Sequence, residues 1–146
     1  MSDHQPPSMT HFADLISVAL ASGEPQRLLM VLLRTEPVQV RDEHGEYREA
    51  QEGTLTPLMV RDRPLEAGLS FEEIRAEADG TGQTDWSILM VAILGSQTGD
   101  LPGPEDAEPH LKRMAKAVLT GGDLSGFAFF DRNGDAVRIS SSMTPG

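Results

Sequence analysis

The sequence contains no cysteine. Disulfides, cysteine-ligated zinc, iron–sulfur clusters and thiol catalysis are therefore excluded. Lysine is nearly as scarce: only Lys112 and Lys116 occur, and there is no basic tract. With 23 acidic residues against 12 lysines and arginines, the formal net charge is −11. Such a surface repels phosphate backbones and anionic headgroups at long range, so neither nucleic acid nor a membrane surface is expected as a partner. Long apolar runs are missing too. The longest, residues 28–33 and 88–94, fall far short of the roughly 20 residues that cross a bilayer. The first ten residues hold two prolines and no basic stretch followed by an apolar one, so they do not read as a secretory signal. A cytoplasmic location is the expectation.

What remains is a chain of 146 residues, enough to bury a core in one domain. Residues 1–9 and 141–146 are rich in Ser, Pro, Thr and Gly and read as disordered tails around a domain at 10–140. Thr10 is a candidate N-cap for a first helix, whose Phe12, Leu15, Ile16, Ala19 and Leu20 make one apolar stripe. Gly23 and Pro25 end it. Residues 27–34 enclose six apolar residues between two arginines, the pattern of a strand buried on both faces.

Residues 42–52 read as a polar helix showing Tyr47 and Ala50 to the core, although Gly45 weakens it. The alternative is a hairpin turning at His44-Gly45. Residues 54–61 form a second strand, in which Pro57 points to a bulge or an exposed edge. The next helix is announced by a capping box of Ser70 and Glu73 and a staple of Leu69 and Ile74. Residues 86–94 form the strongest strand. After a loop with three glycines comes a helix that is acidic at its start and basic later, with Pro109 expected in its first turn. Asn133-Gly134 between apolar runs signals a terminal hairpin.

The order is α-β-(α)-β-α-β-α-β-β. Alternating strands and helices predict an α/β fold, a mixed and mostly parallel sheet covered by helices.

No motif carries a complete chemistry. The segment Asp131-Arg-Asn-Gly-Asp135 opens like a calcium loop, but its glycine comes at the fourth place, and Ser142 stands where the bidentate Glu belongs. A hairpin turn accounts for it. Asp42, Glu43, His44 and Glu46 form a polar cluster without a His-x-x-x-His pair, and a solvated face accounts for that. Neither Gly80-Thr-Gly82 nor Gly95-Ser-Gln-Thr-Gly99 has a Walker lysine or a full dinucleotide fingerprint. No G-x-S-x-G elbow is present. No metal and no cofactor is implied.

One constellation stands out as a candidate anion-binding site. If the three central strands run parallel, Arg34, Arg61 and Arg63 lie at or just past their carboxyl ends, beside the Gly95–Gly99 loop. Ligands of open α/β sheets bind beyond those ends. Three arginines converging in a protein of charge −11 would make a local anion site. The alternative is that Glu36, Asp62 and neighbouring acids pair with them. An antiparallel second strand would move Arg61 and Arg63 to the other edge.

The segments Gln26-Arg-Leu-Leu, Thr54-Leu-Thr-Pro-Leu-Met-Val60, Phe71-Glu-Glu-Ile74 and Thr81-Gly-Gln-Thr-Asp-Trp86 occur in a recognisable order. Pro109-His-Leu-Lys-Arg-Met114 and Phe129-Phe-Asp-Arg-Asn-Gly134 follow. Together, over about residues 12–140, they resemble a family of small proteobacterial proteins often mislabelled "ribonucleotide reductase subunit alpha". Where that family commonly reads Cys-Val-Asp-Lys, this chain has Val60-Arg-Asp-Arg63. The resemblance implies a bacterial, cytoplasmic protein and supplies no catalytic residue. Cysteine radical chemistry of the kind the label names has no residue here to carry it.

Two functions are therefore expected, in this order. The first is a non-enzymatic acidic binding or regulatory module acting through a protein partner or as a homodimer. The second is a small-molecule anion binder, or an enzyme, using Arg34, Arg61 and Arg63.

Overall fold

A computed structural model describes residues 10–41 and 47–139, with backbone alone at 37–41 and 47–53. Its elements are α1 (Phe12–Leu20), β1 (Gln26–Arg41), β2 (Tyr47–Pro64), α2 (Phe71–Gly80), β3 (Ile88–Gly95), α3 (Pro104–Thr120) and β4 (Ala128–Asp131). The four strands form one sheet in the order β2-β1-β3-β4, and every neighbouring pair is antiparallel.

The mostly parallel sheet expected from the alternation of elements is thus corrected. The physical reason lies in the connection through α2. The strands β2 and β3 do run the same way, as a crossover helix would have them. They are not neighbours, because β1 lies between them and opposes both. Burial of β1 on both faces misled as well, since an antiparallel strand covered on two sides has the same continuous apolar run. Leu28, Met30 and Leu32 face Phe12, Ile16, Phe71, Ile74 and Trp86 from the α1 and α2 side. Leu29, Val31 and Leu33 face Ala107, Leu111 and Met114 of α3. Helices therefore cover both faces, in three layers.

Local signals account for most element ends. The helix α1 begins one residue later than expected: His11 is its N-cap, and its Nδ1 accepts from the Ala13 amide at 3.0 Å. Thr10 instead donates its amide and hydroxyl to Asp14. At α2, Ser70 accepts from the Glu73 amide at 3.2 Å, while the Glu73 carboxylate turns to Arg63. The helix α3 starts at Pro104, so Pro109 lies inside it rather than in its first turn. Gly121 closes it with φ +68°, a left-handed conformation that costs glycine nothing.

The polar helix expected at 42–52 is corrected over its second half, because Tyr47–Glu52 belong to β2. The alternative turn at His44-Gly45 lies outside the described residues. Pro57 sits on the edge strand, next to a bulge: Leu32 pairs with Met59 but Leu33 with Pro57, which leaves Leu58 unpaired. The Asn133-Gly134 turn forms as expected. Its returning strand shrinks to one bridge, Phe130 with Ala136, made by the bonds from the Asp131 amide to Asp135 and from the Val137 amide to Phe129.

One geometric fact matters most for function. The last pairing of β1 with β3 is Leu33 with Ile88, whereas its pairing with β2 continues to Arg41 and Tyr47. Eight residues of β1, Arg34–Arg41, thus outrun β3, and β2 is their one strand neighbour among the described residues. At 3.3 Å per residue, this two-stranded ribbon extends about 26 Å. Among the described residues no helix is long and apolar enough to cross a membrane.

Candidate functional site

The three arginines expected to converge do not. Arg61 and Arg63 stand opposite Met30 and Leu28, near the carboxyl end of β2, while Arg34 stands opposite Thr56. Along β1, Arg34 is four residues from the level of Arg61 and six from that of Arg63, about 13 and 20 Å. The antiparallel pairing causes this separation. Gly95 pairs with Gln26, so the Gly95–Gly99 loop lies at the end of the sheet away from Arg34.

Each of these guanidinium groups has an acidic neighbour. Arg63 reaches Glu77 at 2.5 Å and Glu73 at 2.9 Å, and Arg61 lies 3.6 Å from Glu77. Glu73 and Glu77 are one turn apart on α2, so two carboxylates balance two guanidinium groups. Arg34 pairs with Glu36 at 2.7 Å. An anion arriving at Arg61 and Arg63 would meet this acidic pair, and the convergent anion site falls.

Amides at the far end of the Gly95–Gly99 loop bond to the loop's own hydroxyls. Ser96 Oγ accepts from the amides of Thr98 at 3.3 Å and Gly99 at 2.7 Å, and Thr98 Oγ1 accepts from the Asp100 amide. These are the donors a phosphate would need. Between the loop and α3 lies a cleft of about 280 Å³ bordered by Thr98, Asp100, Asp106 and His110. Its polar groups are partly committed: Asp106 accepts from the Gly103 amide at 2.9 Å, and His110 Nδ1 lies 2.7 Å from Arg113 Nη2. Arginine only donates, so that nitrogen accepts. Among the described residues no three His, Asp or Glu side chains stand together as a metal site would need. The Asp42–Glu46 cluster lies outside them.

The densest polar constellation was not read from the sequence. Asp79 Oδ1 accepts from Trp86 Nε1 at 3.0 Å, and its Oδ2 accepts from Arg132 Nη2 at 2.6 Å. The Arg132 guanidinium also lies 4.4 Å from the centre of the Trp86 ring and donates to the Trp86 carbonyl. Arg75 in turn donates to the Arg132 carbonyl at 2.7 Å. This clamp fastens the end of α2, the lead-in to β3 and the turn after β4. It joins residues 53 positions apart, and no spacing rule in a single sequence would find it.

The hydrogen bond from Arg132, the largest influence, holds the Asp79 carboxyl below its ordinary value of 3.8. The Thr10 amide acts likewise on Asp14, and the Ser125 amide on Asp123. A depressed folded-state value means stability present in full above pH 3.8 and lost as pH falls through that lower value. The unfolding midpoint in urea is therefore expected to drop as pH falls from about 4 to 2. Asp79→Asn should flatten the slope in part, leaving what Asp14 and Asp123 contribute. An unchanged slope in Asp79→Asn would remove the clamp from the acid response.

No family model, no curated protein and no solved structure matches the chain.

Proposed function

We propose that the protein is a non-enzymatic module acting through a protein partner, and that the β1–β2 ribbon is the part that meets it. The observation that carries this reading is the eight-residue overrun of β1 beyond β3. A two-stranded ribbon is marginal by itself. Here it is rooted in the run Leu28–Leu33, fully buried in the sheet, and Leu33 is the last of the described core residues of β1. Backbone edges left open by a short partner strand are a ready surface for another chain.

The polar groups elsewhere serve the fold: Ser70, Ser96, Asp14, Asp106 and Asp131 each accept from backbone amides.

The test is a shortened ribbon. Glu36 and Thr54 face each other across the two strands, so an Asn-Gly turn can join them directly and replace residues 37–53. The described core residues are all kept, and the melting temperature is expected to stay within about 4 °C of the parent, on the order of 1 kcal/mol. A partner cross-linked by the full chain should be lost from the shortened one. A partner held equally by both would refute the ribbon's role.

A further inference from the structure

The Asn133-Gly134 step that turns the chain after β4 is also chemically reactive. Asn133 is the sole asparagine of the sequence, and asparagine is among the thermally labile residues. Its side-chain carboxamide carbon comes within reach of the next backbone nitrogen wherever the joining peptide is free to rotate. A following glycine, lacking Cβ, hinders that approach least. The Gly134 nitrogen gives up its proton and bonds to the carboxamide carbon, ammonia leaves, and a succinimide ring closes. Water then opens the ring. Opening on one side gives aspartate. Opening on the other gives isoaspartate, in which the main chain runs through the former side chain.

The fold holds this peptide against the rotation. The Gly134 amide donates to the Asp131 carbonyl at 3.0 Å. On the other side of the same peptide, the Asn133 carbonyl meets His11 Nε2 at 3.2 Å. The Asp131 carboxylate accepts from the Asn133 amide at 2.8 Å and from the Asp135 amide at 3.1 Å, which fixes the flanking peptides. A seam to the start of α1 completes the hold, with the Phe12 amide donating to the Gly134 carbonyl and the Ala136 amide to the Thr10 carbonyl. Asn133 is exposed, whereas Gly134 is buried. Water therefore reaches the carboxamide, but the nitrogen that must attack it is buried and paired.

We infer that Asn133 is a site of spontaneous modification gated by this seam, and that isoaspartate formed there unlatches α1. The inference stands apart from the ribbon. The reaction runs through the fraction of molecules in which the turn has opened. Isoaspartate adds an atom to the main-chain path beside Gly134. No slack exists to absorb it, because even a Cβ on Gly134 would lie 2.7 Å from His11 Nε2 and 3.0 Å from Phe71 Cγ. The lengthened turn cannot bring the Gly134 carbonyl back to the Phe12 amide. Loss of ammonia makes the change one-way.

The experiment incubates the full chain at mildly alkaline pH, folded and in urea, and follows the peptide carrying Asn133 by mass. The folded chain is expected to react at least about tenfold more slowly, by the factor that Gly134 amide exchange gives for the opened fraction. His11→Ala removes the contact on the Asn133 carbonyl and should raise the folded rate severalfold, with Trp86 fluorescence reporting that the variant is folded. Asp131→Ala frees the Asn133 and Asp135 amides without touching α1 and should act in the same direction. In the isoaspartate form, the Phe12 and Ala136 amides should exchange at least about tenfold faster. Asn133→Asp brings the charge without the extra atom and should keep both amides protected. Equal rates folded and in urea, or a folded rate unmoved by both variants, would overturn the gate. Unchanged Phe12 exchange in the isoaspartate form, or equally fast exchange in Asn133→Asp, would overturn the unlatching by a lengthened chain.

Discussion

Asp62→Ala is expected to destabilise the protein by about 3–5 kcal/mol, the range for stripping a buried ion pair of one partner. The partner left behind is Arg27. Its side chain is only 10% exposed, on the sheet face that α3 covers, and its Nε meets Asp62 Oδ2 at 2.5 Å. Among the described residues its guanidinium makes one other hydrogen bond, to the Pro102 carbonyl at 3.4 Å. A guanidinium keeps its charge at any working pH, so it cannot escape by losing a proton. Arg27→Met combined with Asp62→Leu should recover most of the loss, because neither charge then has to be desolvated. Urea unfolding followed through the single, buried Trp86 reads both variants. A cost below about 1 kcal/mol for Asp62→Ala would mean that the pair behaves as a surface contact.

Gly134→Ala is expected to cost roughly 2–5 kcal/mol, combining left-handed strain with overpacking. Gly134 has φ +84°, and a Cβ there would lie 2.7 Å from His11 Nε2 and 3.0 Å from Phe71 Cγ. The His11 ring is fixed on both sides, capping α1 through Nδ1 and reaching the Asn133 carbonyl through Nε2. Removing that ring in His11→Ala separates the two effects. The alanine at 134 should cost less in that background, and the difference measures the collision with His11. Equal costs in both backgrounds would assign everything to the backbone and to Phe71.

The sequence carried its local instructions clearly and its pairings poorly. The Ser70 cap, the glycine stop at Gly121, the Asn133-Gly134 turn and the apolar stripe of α1 act within one or two turns, so spacing reveals them. Strand neighbours depend on contacts far apart along the chain. The apolar run 28–33 looks the same whether its neighbours are parallel or antiparallel, and that ambiguity misplaced Arg61 and Arg63 relative to Arg34. The ribbon hid for another reason. The acidic stretch with Gly45 reads as a solvated helix or a turn, and only the register of β1 with β2 reveals a strand continuing to Arg41.

The turn after β4 grips the start of α1 in a way that ties distant chain segments into one loop. The Phe12 amide donates to the Gly134 carbonyl at 2.8 Å, and the Ala136 amide to the Thr10 carbonyl at 2.9 Å. Neighbouring contacts join residues 122 positions apart. Closing so long a loop carries an entropic cost that grows as the logarithm of its length, and a few hydrogen bonds do not offset it on their own. The seam holds only while the layers between its two sides are already assembled. Fraying at either margin is thereby made a property of the whole domain, since Phe12 at the seam is itself buried in the core.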